Sequence, residues 1–95
     1  MKEIQWNEEK NSWLKQRRKI GFEDISAAII EGKLLGTVNH PKREKYPNQR
    51  VFIVNIGNYI YLVPFVEDAQ KIFLKTVIPS RKATRDYLIR KKKIV

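Results

Sequence analysis

The first part of the chain has the hydrophobic spacing of a surface helix. Between residues 8 and 19 polar side chains dominate and only Trp13 and Leu14 provide an apolar stripe, so we expect a helix that docks one narrow face and leaves the rest in water. Asn7 is a good N-cap for this helix, and Gly21 suits the left-handed residue that ends one.

A second helix is predicted from about Glu23, with Gly32 as its terminator. Apolar residues recur there at spacings of three and four, which is typical of a helix with one face in a core. These residues are Phe22, Ile25, Ala28 and Ile29. We therefore expect the second helix to pack more tightly than the first.

After Gly32 the chain becomes rich in β-branched and aromatic residues, which predicts strands. Four strands are expected, over residues 34–39, 51–56, 59–66 and 71–78. The dipeptide Gly57-Asn58 suits a tight hairpin turn with positive φ. Pro64 cannot donate to a ladder, so its end of the strand is expected at a sheet edge or a bulge. Residues 40–49 hold two prolines and a charge cluster, which indicates a loop.

Ser80 is a natural N-cap for a terminal helix over residues 81–93, and we expect the lysines at 91–93 to fray. The predicted fold class is therefore α+β: two N-terminal helices, a four-stranded antiparallel meander and a basic C-terminal helix, in one domain over residues 1–95. Such a sheet can cover one face with helices and leave the other open. An open, positively charged sheet would be a surface for a polyanion.

The composition limits the chain to one small core with a positive surface. A mass of 11.3 kDa suffices for a single domain. There are 20 Lys and Arg residues against 10 Asp and Glu, which gives a net charge of +10. Because 42% of the residues are hydrophobic, the chain is not a disordered polycation. Its surface suits nucleic acid, an anionic membrane or an acidic protein.

Metal sites and membrane spans are disfavoured by what the sequence lacks. There is no cysteine and only one histidine, so we expect no disulfide, no His/Cys zinc site and no other cofactor. The N-terminus lacks the apolar segment of a signal peptide, and the longest apolar run, residues 59–66, is far too short to cross a bilayer. These features predict a cytoplasmic protein.

The positive charge is clustered in three stretches. Residues 10–19 carry +5, residues 42–50 carry +3 and residues 81–95 carry +6, so the rest of the chain carries −4. Neither basic helix has an apolar face strong enough to insert into a bilayer, which argues against a membrane partner.

A single basic cleft is expected if the fold brings the loop near the start of the last helix. Any one cation is more often a solvated surface charge, but the set indicates a site for RNA phosphates. The set is Lys42, Arg43, Arg50, Arg81, Lys82 and Arg85.

Aromatic residues are interleaved with this charge, and single-stranded RNA is bound by rings that stack on bases while cations follow the phosphates. We expect most of the rings to lie in the core, which needs Phe52, Phe65 and Phe73 in particular. This leaves Tyr46 and Tyr87 as surface candidates.

The sequence shows no Gly-rich phosphate loop, carboxylate cluster for Mg²⁺ or Ser/His/Asp arrangement. RNA cleavage by the substrate's own 2′-OH remains feasible, since it needs a base, cationic stabilisation of the phosphorane and an acid for the leaving oxygen. His40 is a candidate because histidine ordinarily titrates near neutral pH, although a lone histidine before proline is more often structural or simply exposed. Glu44 or Glu67 is a weaker candidate for the base.

Three segments stand in an order that resembles one known family. They are Trp6-Asn7-Glu8-Glu9-Lys10-Asn11, Gly21-Phe22-Glu23-Asp24-Ile25 and Ile78-Pro79-Ser80-Arg81-Lys82-Ala83-Thr84. This order resembles the BrnT family of bacterial toxins from type II toxin–antitoxin systems, over nearly the whole chain. The resemblance implies a RelE-like fold and an mRNA-cleaving ribonuclease that inhibits translation. It also implies a complex with a DNA-binding antitoxin of the BrnA type, which we expect to be a ribbon-helix-helix protein.

By position, the Arg of the family's Arg-x-Ala-Thr segment is Arg81, which the resemblance makes the first choice for phosphate stabilisation in catalysis. Many members have Ser-Ala-Arg where this chain has Pro79-Ser80-Arg81, and Glu where this chain has Tyr87. If that Glu is the base elsewhere, then Tyr87, His40 or Lys42 takes its role here, or this branch cleaves weakly. The alternative hypothesis is a non-catalytic binding module for nucleic acid or an acidic partner protein.

Overall fold

A computed structural model describes residues 2–89 of the chain. The elements are β1 (Glu3–Trp6), α1 (Glu8–Arg18), α2 (Phe22–Ile30), β2 (Leu34–Asn39), β3 (Arg50–Ile56), β4 (Tyr59–Glu67), β5 (Lys71–Leu74), β6 (Ile78–Pro79) and α3 (Arg81–Thr84), with a π-helical turn over Arg85–Ile89. The α+β class is confirmed, as are both N-terminal helices. The part of the predicted terminal helix beyond residue 89, including the lysines at 91–93, lies outside the described residues.

The sheet is mixed and has six strands rather than four antiparallel ones. The order is β1-β5-β4-β3-β2, with β6 paired to β4. β1 runs parallel to β5, whereas the other pairs are antiparallel. The prediction missed β1, which is only four residues long. Its signal was present in the alternation of Ile4 and Trp6, which pack against the core, with Glu3 and Gln5.

The strand predicted over residues 71–78 is divided in two because of Pro64. The Lys75 N–H donates to the Pro64 carbonyl at 2.8 Å, but Pro64 has no N–H to return the bond. The β5 ladder therefore ends at Leu74, and β6 begins only at Ile78, opposite Leu62. Pro64 lies in an interior strand and marks this interruption, not the outer edge of the sheet.

The helices α1 and α2 cover one face of the sheet and form the main core with it. The largest buried side chains of this core are Leu14, Phe22, Ile25, Val54, Val63, Phe65 and Leu74. The rings of Phe52 and Phe65 stack across neighbouring strands with centroids 3.8 Å apart. Three of the four predicted core positions of α2 are buried, namely Phe22, Ile25 and Ala28, and Ile29 is half-buried against the core.

The second face of the sheet is closed at its centre, so the expectation of an open face is wrong there. Val51, Ile53 and Ile60 on this face are at most 4% exposed. α3 contacts β4 at this point, where the Ile60 N–H donates to Thr84 Oγ1 at 2.8 Å. The C-terminal helix therefore belongs to the packed structure and is not an appendage in solvent.

Between α1 and α2, the residue with left-handed backbone conformation is not the predicted Gly21. Lys19 has the left-handed conformation that ends α1, with φ 58°, whereas Gly21 is extended and begins α2 as its N-cap. Gly21 is needed there for close approach, because a Cβ would lie 2.7 Å from Glu23 Oε1 and 3.0 Å from Asn11 Oδ1. The buried Asn11 accepts from the Phe22 N–H at 2.7 Å and donates to Glu23 at 2.9 Å.

Two predicted turns are confirmed by their backbone angles. Gly57 and Asn58 both have positive φ, at 59° and 62°, as the tight hairpin between β3 and β4 requires. Gly32 follows α2 with φ 83°. Over the described residues, no helix is both long and apolar enough to cross a membrane.

Candidate nucleic-acid interface

The start of α3 is fixed to the sheet by two hydroxyl side chains. Ser80 Oγ accepts from the Ala83 N–H at 3.0 Å, which caps the helix. Thr84 Oγ1 donates to the Ser80 carbonyl at 2.7 Å and accepts from the Ile60 N–H of β4. Both hydroxyl groups therefore hold this end of α3 in one position against β4.

Three cations project from this anchored segment: Arg81, Lys82 and Arg85, all exposed. Within residues 2–89 none of the three has an ion-pair partner, since the ion pairs of this part of the chain lie elsewhere. Tyr87 is half-buried on the same segment. The start of α3 is anchored to the sheet, and its cations are exposed without ion-pair partners among residues 2–89. This segment is therefore suited to binding phosphate.

The loop between β2 and β3 forms the second basic surface. Its base is closed by the His40 N–H, which donates to the Gln49 carbonyl at 3.2 Å. The His40 and Tyr46 rings lie 4.6 Å apart, and Lys45 Nζ lies 5.5 Å from the Tyr46 ring. Tyr46 is half-buried by these contacts, while Lys42 and Arg43 are exposed at the tip.

The hydrogen bonding of His40 bears on its candidacy as a base. The backbone N–H of Lys42 donates to His40 Nδ1 at 3.0 Å, so Nδ1 carries no proton in this arrangement. The neutral ring then holds its proton on Nε2. Nε2 can donate a hydrogen bond, but it has no lone pair with which to take a proton from a 2′-OH.

Glu67 is held by two cations, which weakens it as a base. Lys2 Nζ lies 2.9 Å and Arg50 3.4 Å from its carboxylate oxygens. The hydrogen bond from Lys2, with a smaller contribution from Arg50, lowers the pKa of Glu67 below its ordinary value. Arg50 is also partly neutralised by this pair, unlike the cations of α3. Glu44 is exposed in the loop.

The strand register shows that the two basic surfaces lie at different ends of β4. Arg50 is paired with Phe65, whereas the Ser80 N–H, next to Arg81, donates to the carbonyl of Ile60. Five residues of β4 separate Phe65 from Ile60, which is about 17 Å along a strand. The start of α3 and the base of the loop are therefore not neighbours, and the expected junction of the two is not formed.

The end of α1 instead contacts the segment that leads into α3, a contact that the sequence did not predict. The Arg18 guanidinium donates to the Val77 carbonyl, and Val77 lies four residues before Arg81. A chain of that length spans at most about 14 Å. The missed signal was the spacing of Lys10 and Arg17 from Trp13, three and four residues, which brings side chains together on a helix.

Trp13 lies on the solvent side of α1 and not in the core. It is 38% exposed, whereas Leu14 beside it is fully buried. Lys10 Nζ lies 4.4 Å from the ring centroid, and the guanidinium carbons of Arg18 and Arg17 lie at 5.3 and 5.7 Å. We call Trp13 and these three cations the Trp13 cluster.

Within residues 2–89, no group of three His, Cys, Asp or Glu side chains is placed to hold a metal ion. In comparisons with known proteins, no family model, no curated protein and no solved structure matches this chain. The charge and geometry of these surfaces, together with the resemblance in sequence, are therefore what indicates a function.

Proposed function

We propose that this protein is the toxin of a type II toxin–antitoxin system, a metal-independent endoribonuclease of the BrnT kind that cleaves mRNA in the cytoplasm and inhibits translation. The observation that carries the proposal is the anchored start of α3. There Arg81, Lys82 and Arg85 are exposed and uncompensated within the described residues. A RelE-like arrangement of the sheet and a BrnA-type antitoxin, bound in a hetero-oligomer, are part of the same proposal.

In the proposed reaction the substrate supplies its own nucleophile. A base removes the proton of the 2′-OH, the 2′ oxygen attacks the phosphorus, and the bond to the 5′ oxygen breaks as that oxygen takes up a proton. The products are a 2′,3′-cyclic phosphate and a 5′-hydroxyl. Arg81 stabilises the phosphorane because its guanidinium pairs with two phosphate oxygens at once.

The remaining roles follow from the positions of the other candidates. Lys82 and Arg85 bind the RNA phosphates next to the one that Arg81 contacts. Arg43 and Arg50 contact the RNA strand further along, at the far end of β4. Tyr87, on the helical segment of Arg81, and Lys42 stay candidates for proton transfer. His40 contributes as a hydrogen-bond donor through Nε2, because Nδ1 is already occupied.

The substitution Arg81→Ala tests the site. We expect it to abolish growth inhibition on expression and RNA cleavage in vitro, because the phosphorane loses its main cation. Thermal stability should hardly change, since Arg81 is exposed and makes no ion pair in residues 2–89. Lys33→Ala, which removes an exposed cation from the connection between α2 and β2, is the matched control. A stable Arg81→Ala protein that remains fully toxic would contradict the assignment.

A non-catalytic binding module is the second candidate, and the site geometry gives it specific support. In this arrangement His40 offers no free lone pair and Glu67 is held by two cations, so neither is a ready base. The same exposed cations suit the carboxylates of an acidic partner, and an antitoxin could neutralise the toxin by filling this surface.

Incubating EDTA-treated protein with end-labelled single-stranded RNA separates the two candidates. Discrete fragments that end in 2′,3′-cyclic phosphate indicate the endoribonuclease. A shifted but intact RNA band indicates the binding module.

A further inference from the structure

Trp13 is the large apolar residue that α1 presents to solvent, and its surroundings are cationic. The rest of the outer face of α1 is polar, so no apolar patch extends from the ring. A protein-binding hot spot is usually a packed centre inside such a patch. An isolated aromatic ring among basic side chains is instead the arrangement with which proteins bind single-stranded nucleic acid.

The cations of the Trp13 cluster are uncompensated, in contrast to their neighbour on α1. Lys15 Nζ pairs with Glu23 at 2.9 Å, whereas Lys10, Arg17 and Arg18 have no carboxylate partner within residues 2–89. Lys10 and Arg17 therefore keep their donors for a ligand. The ligand that suits them carries phosphates as well as flat rings.

One hydrogen bond also connects the Trp13 cluster to the segment that precedes α3. Arg18 reaches from the cluster to the Val77 carbonyl, and the chain continues from Val77 through β6 to Arg81. Cations are thus present at both ends of this connection, from α1 to α3.

We propose that the Trp13 cluster is a second RNA-binding surface, on which one base of a single strand stacks on the Trp13 ring while Lys10 and Arg17 bind the adjoining phosphates. This inference rests on the proposed binding of RNA at Arg81 and extends that site along α1. Arg17 is exposed and Lys10 is half-buried; both side chains are long, so either can turn from the ring toward a phosphate when a base takes its place.

The protein carries a built-in reporter for this contact. Its other tryptophan, Trp6, packs against the core and stacks on Phe22 at 5.8 Å. The variant Trp6→Phe keeps an aromatic ring there and leaves Trp13 as the source of tryptophan emission, and its circular dichroism spectrum shows whether it is folded. Titrating this variant with oligouridylate should quench the emission saturably, because the base stacks on the exposed ring.

Affinity measurements on the otherwise native chain test the contribution of the ring. Trp13→Leu keeps apolar bulk but removes the aromatic face, and it should weaken oligouridylate binding about tenfold. Trp13→Phe should weaken binding less, because a smaller aromatic face remains. Lys33→Gln is a control for loss of one positive charge. Poly-glutamate is titrated in parallel as an acidic polymer without bases.

The results distinguish the RNA-binding site at Arg81, the second surface at Trp13 and a protein-binding surface. If native protein binds oligouridylate and Arg81→Ala weakens it while Trp13→Leu does not, and emission is unchanged, the second surface is wrong and the first stands. If the native protein binds no RNA, both proposals fail. If poly-glutamate quenches the Trp13 emission and oligouridylate does not, the cluster is a protein-binding surface and this inference is overturned.

Discussion

At the scale of single residues, the segments that resemble a known family have structural roles. Asn7 caps α1 by accepting from the Lys10 N–H, and Trp6 stacks on Phe22. Asn11 joins the two helices through the Phe22 N–H and Glu23. These residues specify the corner between α1 and α2. The sequence pattern in these two segments therefore reflects the fold and not the binding of a ligand. The segment with Arg81 differs in carrying two exposed cations, Arg81 and Lys82, beside the cap of α3.

Glu23 provides a test of this corner by pH. Hydrogen bonds from Asn11 and then Lys15 lower its pKa to about 2, from an ordinary value of 4.5. A carboxyl group with a depressed pKa in the folded state stabilises the protein above its unfolded pKa and loses that contribution as pH falls. The native protein should therefore be more stable than Glu23→Gln at neutral pH, and the difference should shrink between about pH 4.5 and pH 2.

Urea denaturation across this pH range measures the effect. Glu44→Gln, in the exposed loop, is the control and should show a much smaller difference at neutral pH. A constant gap between the native protein and Glu23→Gln from pH 7 to pH 2 would show that the carboxylate is not what stabilises the corner.

At the scale of secondary-structure elements, hydrogen bonds hold the start of the C-terminal helix to the sheet. Its first turn buries Thr84, which is 9% exposed, and uses that hydroxyl to reach both Ser80 and β4. The position of Arg81 therefore depends on a side chain three residues further along. Any change that loosens this turn should move the candidate site without touching its charges.

The variant Thr84→Val tests this dependence because it keeps the shape of the side chain and removes both hydrogen bonds. The Ile60 N–H is then left buried without a partner, which should cost about 1–3 kcal/mol of unfolding free energy. Hydrogen exchange at the Ile60 amide should also accelerate. Thr84→Ser, which retains the hydroxyl, should keep most of the protection, and Thr37→Val on β2 is a control for the substitution itself. Unchanged exchange at Ile60 in Thr84→Val would contradict the anchoring role.

Most elements follow from local patterns in the sequence, and the exceptions have physical reasons. The hairpin at Gly57-Asn58 was predictable because its backbone angles exclude most residues. β1 was missed since two inward residues in a four-residue strand give a weak signal, and the pairing with β5 depends on contacts at the other end of the chain. The break after Leu74 was missed because the alternation of residues continues through it. The missing donor of Pro64, on another strand, determines where the ladder stops.

At the scale of the whole molecule, the net charge of +10 is divided between separate surfaces. The segments with excess charge could be counted from the sequence, and the resemblance in sequence made Arg81 a candidate. The sequence does not show which segments become neighbours, because that depends on strand register and on the path of the chain through Val77. Arg50 and Arg81 were grouped but lie apart along β4. Arg18 was not grouped with Arg81, yet it contacts Val77, four residues before Arg81.

Salt dependence measures how many of these cations bind phosphate. The affinity for single-stranded RNA should fall linearly on a log–log plot, with a slope of about −0.7 per phosphate contact. Removing the contact in Arg81→Ala should make the slope shallower by about 0.7, while Lys33→Gln should leave it unchanged. An affinity of the native protein that does not depend on salt would indicate that the basic surfaces do not bind RNA phosphates.

The parallel pairing of β1 with β5 has a consequence for the order in which the protein assembles. Glu3 is opposite Lys71, so residues 4–70 are synthesised between the two partners. At a synthesis rate of about 5–20 residues per second, β1 stays without its partner strand for seconds. The hairpin of β3 and β4 can form earlier, because its two strands are neighbours in sequence. The strand that leaves the ribosome first thus completes its pairing only after four others exist. A chain cut short before β5 would leave Ile4 and Trp6 without the strand beside which they are buried.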